Sequence, residues 1–177
     1  MNKLEIYNMA LDFCGQEPLT QLNNKSEDKT PTERSLDNWY KPALRKASRE
    51  HSWPFLEVSL ELESDLGSGH GYKHSYELPY GTQILTWADG DNYERIGDKL
   101  YTDGNAEAYG IVEDTMPDSG VPEDFYDLVA IALAYYASVR LSPDTTTRNA
   151  IWYAYTDKKE QLINSVAMVE RRLSNAF

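Results

Sequence analysis

Apolar residues recur every three or four positions along residues 122–173 and along two stretches near the start, whereas residues 56–112 alternate apolar and polar with a period of two. This pattern predicts an α+β fold, a bundle of about four helices with a small antiparallel β lobe inserted. The helical core covers residues 1–55 and 115–177, and the lobe covers 56–114.

The strongest element follows Val121. Pro122 stands where the first helical residue belongs, and Glu123 and Asp124 set carboxylates against the positive end of the helix dipole. Phe125, Leu128, Val129, Ala132, Leu133, Tyr136 and Val139 form one stripe, which Ala130, Ile131, Ala134 and Ala137 widen around most of the circumference. A helix of that kind is buried on several sides, so it belongs at the centre. Ser142-Pro143 ends it, and Asp144 or Thr145 caps its successor. The successor turns Ala150, Ile151, Ala154, Tyr155, Leu162, Val166, Val169 and Leu173 inward around the solvated run 157–161. With no proline or glycine from Thr145 to Phe177 it extends about 45 Å at 1.5 Å per residue. Its far end either covers the core or projects to dock on another protein.

Near the start, Leu4, Tyr7, Ala10, Leu11 and Cys14 form a helical stripe closed by Gly15 as a left-handed C-cap. Leu19 and Leu22 tuck a loop back onto the core, and NNKSEDKT reads as a surface loop. Thr30-Pro31-Thr32-Glu33 has the form of a capping box with proline at the first helical position. The helix it starts buries Leu36, Trp39, Tyr40, Ala43, Leu44 and Ala47, bends at Pro42, and ends near His51 before Trp53 and Phe55.

In the lobe, Leu56, Val58, Leu60 and Leu62 alternate with Glu57, Ser59, Glu61 and Glu63, a half-buried strand with an acidic outer face. DLGSGHG lacks the strand-to-helix setting and the Lys-Ser/Thr of a phosphate loop, so it reads as a flexible linker. Four or five further short strands follow. Ala88-Asp89-Gly90-Asp91 and Gly97-Asp98 read as hairpin turns, the second closing NYERI onto KLYTD.

Charge and chemistry then narrow the function. At 177 residues and 41% hydrophobic content the chain supports a real core. No apolar run approaches the ~20 residues of a spanning helix, and the first residues mix in charge unlike a secretory signal, so a soluble, cytoplasmically made protein is expected. With 29 acidic against 17 basic residues, the net charge of −12 opposes wrapping nucleic acid, yet suits a surface that DNA slides past. The single Cys14 excludes an internal disulfide. His51, His70 and His74 have no nucleophile or metal-ligand spacing, so no catalytic, metal or cofactor residues are expected. Glu61 and Glu77 are the kind of carboxylate pair that stands at a glycosidase-like separation by chance. Thirteen tyrosines and four tryptophans point to apolar area that meets a wet partner surface.

The order of these features resembles the head-to-tail adaptor proteins of short-tailed bacteriophages, the family that includes tail tubular protein A and the P22-type tail accessory factor. The likeness runs from Gly15-Gln16-Glu17-Pro18-Leu19 through His51-Ser52-Trp53-Pro54-Phe55, Tyr76-Glu77-Leu78-Pro79 and Lys99-Leu100-Tyr101-Thr102. It continues through Tyr109-Gly110-Ile111-Val112-Glu113-Asp114 to Val121-Pro122-Glu123-Asp124-Phe125, and so covers nearly the whole chain. It departs at Leu78-Pro79-Tyr80-Gly81, where relatives often carry a Leu-Pro-x-Asp turn. The resemblance implies a virion structural protein without catalysis, a homo-oligomeric ring typically of twelve copies. That ring sits between portal protein and the downstream nozzle or tubular tail protein, with fibres nearby and DNA passing through its channel. It implies portal binding by Glu170, Arg171, Arg172, Leu173 and Phe177, and subunit contacts through Trp39, Tyr40, Trp152 and Tyr155. Two other classes stay open: a cell-wall hydrolase of the phage tail, and an acidic DNA mimic that binds a basic host factor.

Overall fold

The structure, a computed structural model, describes residues 1–62, 65–90, 92–113, 119–142 and 144–174, with side chains through residue 168. Four α-helices and two three-stranded antiparallel sheets give the expected α+β fold among these residues. They form two compact units, Met1–Glu50 with Pro122–Phe177, and His51–Val121. His51–Phe55, assigned to the helices from sequence, therefore go with the β unit.

In the helical unit, α1 (Lys3–Phe13) starts at an unanticipated capping box. The Asn2 side chain accepts from the Glu5 amide at 3.0 Å, and the Glu5 carboxylate accepts from the Asn2 amide at 2.7 Å. It ends as expected: Gly15 adopts φ +64°, and the Gln16 amide closes a six-residue turn onto the Leu11 carbonyl at 2.9 Å. The Cys14 thiol is buried, which pushes its pKa up to about 11.

α2 (Pro31–Arg49) runs unbroken through Pro42. Thr30 caps it, its hydroxyl accepting from the Glu33 amide at 3.1 Å, but the expected box is only half made. Glu33 instead turns away, is buried, and accepts from the backbone and side-chain nitrogens of Asn23 at 2.6 and 3.0 Å. The run read as a plain surface loop is thus tied down. Lys29, at its end, is bonded at 2.5 Å to Asp37, which also takes Lys3 at 2.8 Å and the Tyr7 hydroxyl at 2.6 Å. Burial raises the Asp37 pKa, but these three donors outweigh it and hold the carboxyl at about 2.

An unfolded aspartate titrates near 4, above the folded value, so this stabilisation is complete at neutral pH and is lost as pH falls through about 2. Asp37→Asn is expected to cost about 1–2 kcal/mol at neutral pH. In urea melts followed by circular dichroism, the gap to wild type should close as the medium is acidified.

α3 (Glu123–Leu141) packs against α1, α2 and α4 and is central, as its pattern predicts. Pro122, expected as the first helical residue, is the N-cap itself, extended at ψ 148°, so the helix starts one residue later, at Glu123. α4 (Thr145–Ser174) is capped by Asp144, whose carboxylate accepts from the Thr147 amide at 2.8 Å. Ile151, Tyr155 and Leu162 are buried along it, whereas Ala150, placed inward from sequence, is exposed. Lys158 ties α4 to α3 through Asp124 at 2.5 Å and Asp127 at 2.8 Å.

The β unit contains β1 (Val58–Ser59), β2 (His74–Glu77), β3 (Thr82–Ala88), β4 (Tyr93–Ile96), β5 (Lys99–Thr102) and β6 (Ala108–Val112). The sheets have orders β1-β6-β3 and β2-β5-β4. Gly97-Asp98 closes β4 onto β5 as expected, with Ile96 opposite Lys99. Of the expected turn, Asp91 lies outside the described residues; Ala88-Asp89-Gly90 opens no hairpin, since β3 pairs with β6 and β4 with β5. It is a crossing between sheets, held by the Thr102 hydroxyl on the Asp89 carbonyl and by Asn105 on the Asp89 carboxylate at 2.8 and 2.9 Å. Gly104 lies so close to the Asp89 backbone that a Cβ would overlap it. A core of Leu60, Tyr76, Leu78, Ala88, Leu100 and Ala108 fills the unit.

The DLGSGHG segment is not a loose linker. The Asp65 carboxylate accepts from the amides of Gly67 and Ser75 at 2.8 and 3.2 Å and bonds His74 at 2.6 Å. Leu78-Pro79-Tyr80-Gly81 forms a tight turn, the Thr82 amide on the Pro79 carbonyl at 3.1 Å and Gly81 at φ +83°.

No ladder joins the two sheets between β3 and β4, but Arg95 of β4 does. Its guanidinium donates to the carbonyls of Gln83 and Thr82 at 3.1 and 2.7 Å. Arg95→Ala leaves both carbonyls without that donor and is expected to cost about 1–3 kcal/mol in denaturant unfolding. Arg95→Lys should recover only part, because an ammonium cannot fork to two acceptors as a guanidinium does.

Candidate functional site

The helical unit carries a row of stacked rings that runs across three helices. Trp39 of α2 stacks on Tyr136 of α3 at 5.4 Å with 13° between planes. Tyr136 meets Tyr135 at 5.9 Å, Tyr135 meets Trp152 of α4 at 5.0 Å, and Trp152 stacks on Tyr155 at 5.8 Å. The row follows from helical spacing. On α3, Tyr135 and Tyr136 are neighbours at the rim of the apolar surface, where one ring can lean toward α2 and the other toward α4.

Cations lie over these rings. The Lys46 ammonium is 5.6 Å above Trp152 and 5.2 Å above Tyr155, and the Arg148 guanidinium is 4.9 Å from Tyr135. Glu50 anchors the group from below, with Lys46 at 2.7 Å, Lys159 at 3.3 Å and the Tyr155 hydroxyl at 3.0 Å. Burial raises its pKa, but Lys46 and Tyr155 outweigh that and hold the carboxyl below its ordinary value. Burial, then the Glu50 charge, raises the pKa of Tyr155.

Four of the residues expected at subunit contacts are thereby sorted. Trp39 and Trp152 are 39% and 41% exposed and belong to one row. Trp39 was also placed on the buried face of α2; its indole lies at the shoulder, because Leu36, Ala43, Leu44 and Ala47 already fill the inward line. Tyr155 is 2% exposed within the single chain, so it supports Trp152 from beneath and offers no contact area. Tyr40 stands apart, edge-on to Tyr7 at 5.8 Å and under Lys3. Of the expected portal-binding residues, Glu170, Arg171, Arg172 and Leu173 belong to the last turns of α4 with side chains outside the described residues, and Phe177 lies outside them altogether.

Val139, expected on the inward stripe of α3, is instead 59% exposed in the last turns of that helix, beside the open concavity it lines with Tyr135 and Trp152. Sequence reasoning missed Tyr153, an exposed large side chain next to Trp152 in the chain, and the ring-covering Lys46 and Arg148. Two open concavities flank the rings. One of about 410 Å³ is lined by Tyr135, Val139, Arg148 and Trp152 among others, and one of about 450 Å³ by Pro42, Arg45, Lys46, Arg49, Glu50 and Tyr136.

The β unit has its own exposed aromatic pair, Trp87 of β3 directly opposite Tyr109 of β6, with ring centres 5.7 Å apart. Glu61 and Glu77 are both exposed, Glu77 in the β2-β5-β4 sheet and Glu61 after the β1 strand of the other. Among the described residues no group of three His, Cys, Asp or Glu stands ready to hold a metal, and no helix is long and apolar enough to cross a membrane. The chain matches no protein-family model and no curated protein.

Proposed function

We propose that the chain is a virion structural protein, a head-to-tail adaptor that forms a ring between portal and tail with a channel for DNA. The observation that carries this reading is the half-exposed row Trp39–Tyr136–Tyr135–Trp152, with the exposed Val139 in the concavity beside Tyr135 and Trp152. Tryptophan and tyrosine are the side chains that dominate protein contacts when held rigid and half-covered, and stacking holds these rigid in advance. The order of motifs that resembles the adaptor family supports the same reading. So does an acidic balance that lets DNA pass without adhering.

The test is direct. The purified chain is mixed with portal rings encoded by the same genome, and the product is imaged by electron microscopy. A closed ring of added density beneath the portal is the expected result. A chain that stays monomeric beside intact portal overturns the reading.

A further inference from the structure

Charge is divided unequally between the two units. From His51 to Val121 the sequence holds 14 acidic and 3 basic residues, a net of −11, whereas the helical unit holds 15 and 14, a net of −1. Within that near-neutral unit the cations gather beside the ring row: Arg45, Lys46 and Arg49 line one concavity and Arg148 the other. Among the described residues Glu50 is the one acid lining either, and Lys46, Lys159 and Tyr155 already engage it. This face is aromatic and basic.

The outer side of the β1-β6-β3 sheet is its counterpart. Ser59, Tyr109 and Trp87 stand opposite one another across three strands, so their side chains share a face, and Tyr109 and Trp87 are exposed on it. Two residues either side of Ser59, Glu57 and Glu61 are exposed as well. That face is aromatic and acidic.

Resting on the reading of the chain as a ring former, we infer that the two faces are the two halves of one repeating contact. The Glu57/Glu61/Tyr109/Trp87 face of one copy docks on the Arg49/Arg148/Trp39/Trp152 face of the next. The occupant is a second copy because the chain itself supplies the complementary charge and rings. A contact between two different faces repeats head to tail and closes into a ring when the rotation allows. Opposite charges fix its orientation, and like faces repel, which disfavours pairing two copies through the same face.

Charge exchange tests it. Arg49→Glu with Arg148→Glu makes both faces acidic; Glu57→Lys with Glu61→Lys makes both basic. All four positions are exposed, and circular dichroism checks that each variant folds. By sedimentation at low salt and on portal rings, each double variant alone should associate about tenfold or more weakly than wild type. Mixing the two, or combining all four changes in one chain, should restore assembly, which no folding defect would allow.

Double variants that assemble like wild type, or a mixture that stays dispersed, overturn the inference; if complete rings still seat on portal, the adaptor reading survives it. Rescue by mixing in solution with no binding to portal keeps the paired faces and removes the adaptor reading. Wild type that remains monomeric at every salt concentration, with portal and without, overturns both. If Arg49→Glu with Arg148→Glu loses DNA binding while self-association is unchanged, the basic face serves nucleic acid and the inference falls.

Discussion

Leu133→Ala is expected to lower the stability of the helical unit by about 2–5 kcal/mol in denaturant unfolding. Leu133 is wholly buried near the middle of α3, the helix against which α1, α2 and α4 all pack. Deleting its isobutyl group removes apolar area from the core and leaves a cavity that three neighbouring helices cannot all close upon. The spread of the estimate is the extent of that collapse. Leu133→Met, which nearly conserves volume, should cost less than about 1.5 kcal/mol. Val139→Ala, two turns on and 59% exposed, should change stability by less than about 0.5 kcal/mol. A Leu133→Ala chain as stable as wild type would mean that α3 is not the hub on which the unit is built.

The same helix shows which parts of the fold can be read from sequence. The stripe from Phe125 to Ala137 is a local signal, repeated over more than three turns, and the structure buries most of it, leaving Tyr136 half-buried and the expected last member, Val139, exposed. Gly97-Asp98 is equally local, and its hairpin forms. The segment Ala88-Asp89-Gly90 has the same local chemistry, with Gly90 at φ +111°, yet leads from one sheet to the other. Strand partners are chosen over distance: β6, twenty residues from β3, offers Ile111, Gly110 and Ala108 in register, and Thr102 and Asn105 then hold the crossing. Glu33 fails for a related reason. A capping-box glutamate and one that anchors a loop have identical spacing, and only the position of Asn23 decides between them.

The candidate surface was half legible for a geometric reason. Trp39, Trp152 and Tyr155 could be singled out by residue type. Periodicity turns Tyr155 inward, and the structure buries it; it also turns Trp39 inward, whereas the indole sits on the exposed shoulder of α2, a one-position difference in helix facing that depends on the neighbours. Of the two tyrosines that join the tryptophans, Tyr136 is hidden inside a stripe that reads simply as core, and Tyr135 carries no signal of its own.

Trp152→Ala should weaken ring assembly on portal by about 2 kcal/mol or more, about thirtyfold in the concentration needed, while the fold itself survives. The indole is 41% exposed, and its inner edge lies between Tyr135 and Tyr155 beneath the Lys46 ammonium. It is both anchored within one copy and available to another. Tyr155→Phe should behave in the opposite way: loss of the hydroxyl that donates to Glu50 costs about 1 kcal/mol of stability and leaves assembly nearly intact. Trp39→Ala should resemble Trp152→Ala, since its ring caps the other end of the row. Because Tyr136 and Tyr135 connect the two indoles, the first truncation already loosens what the second would remove. The double variant should therefore lose less than the sum of the singles, measured as portal-bound fraction in a titration. Full additivity would mean that the rings act as separate surface patches and that stacking across the three helices contributes nothing to assembly.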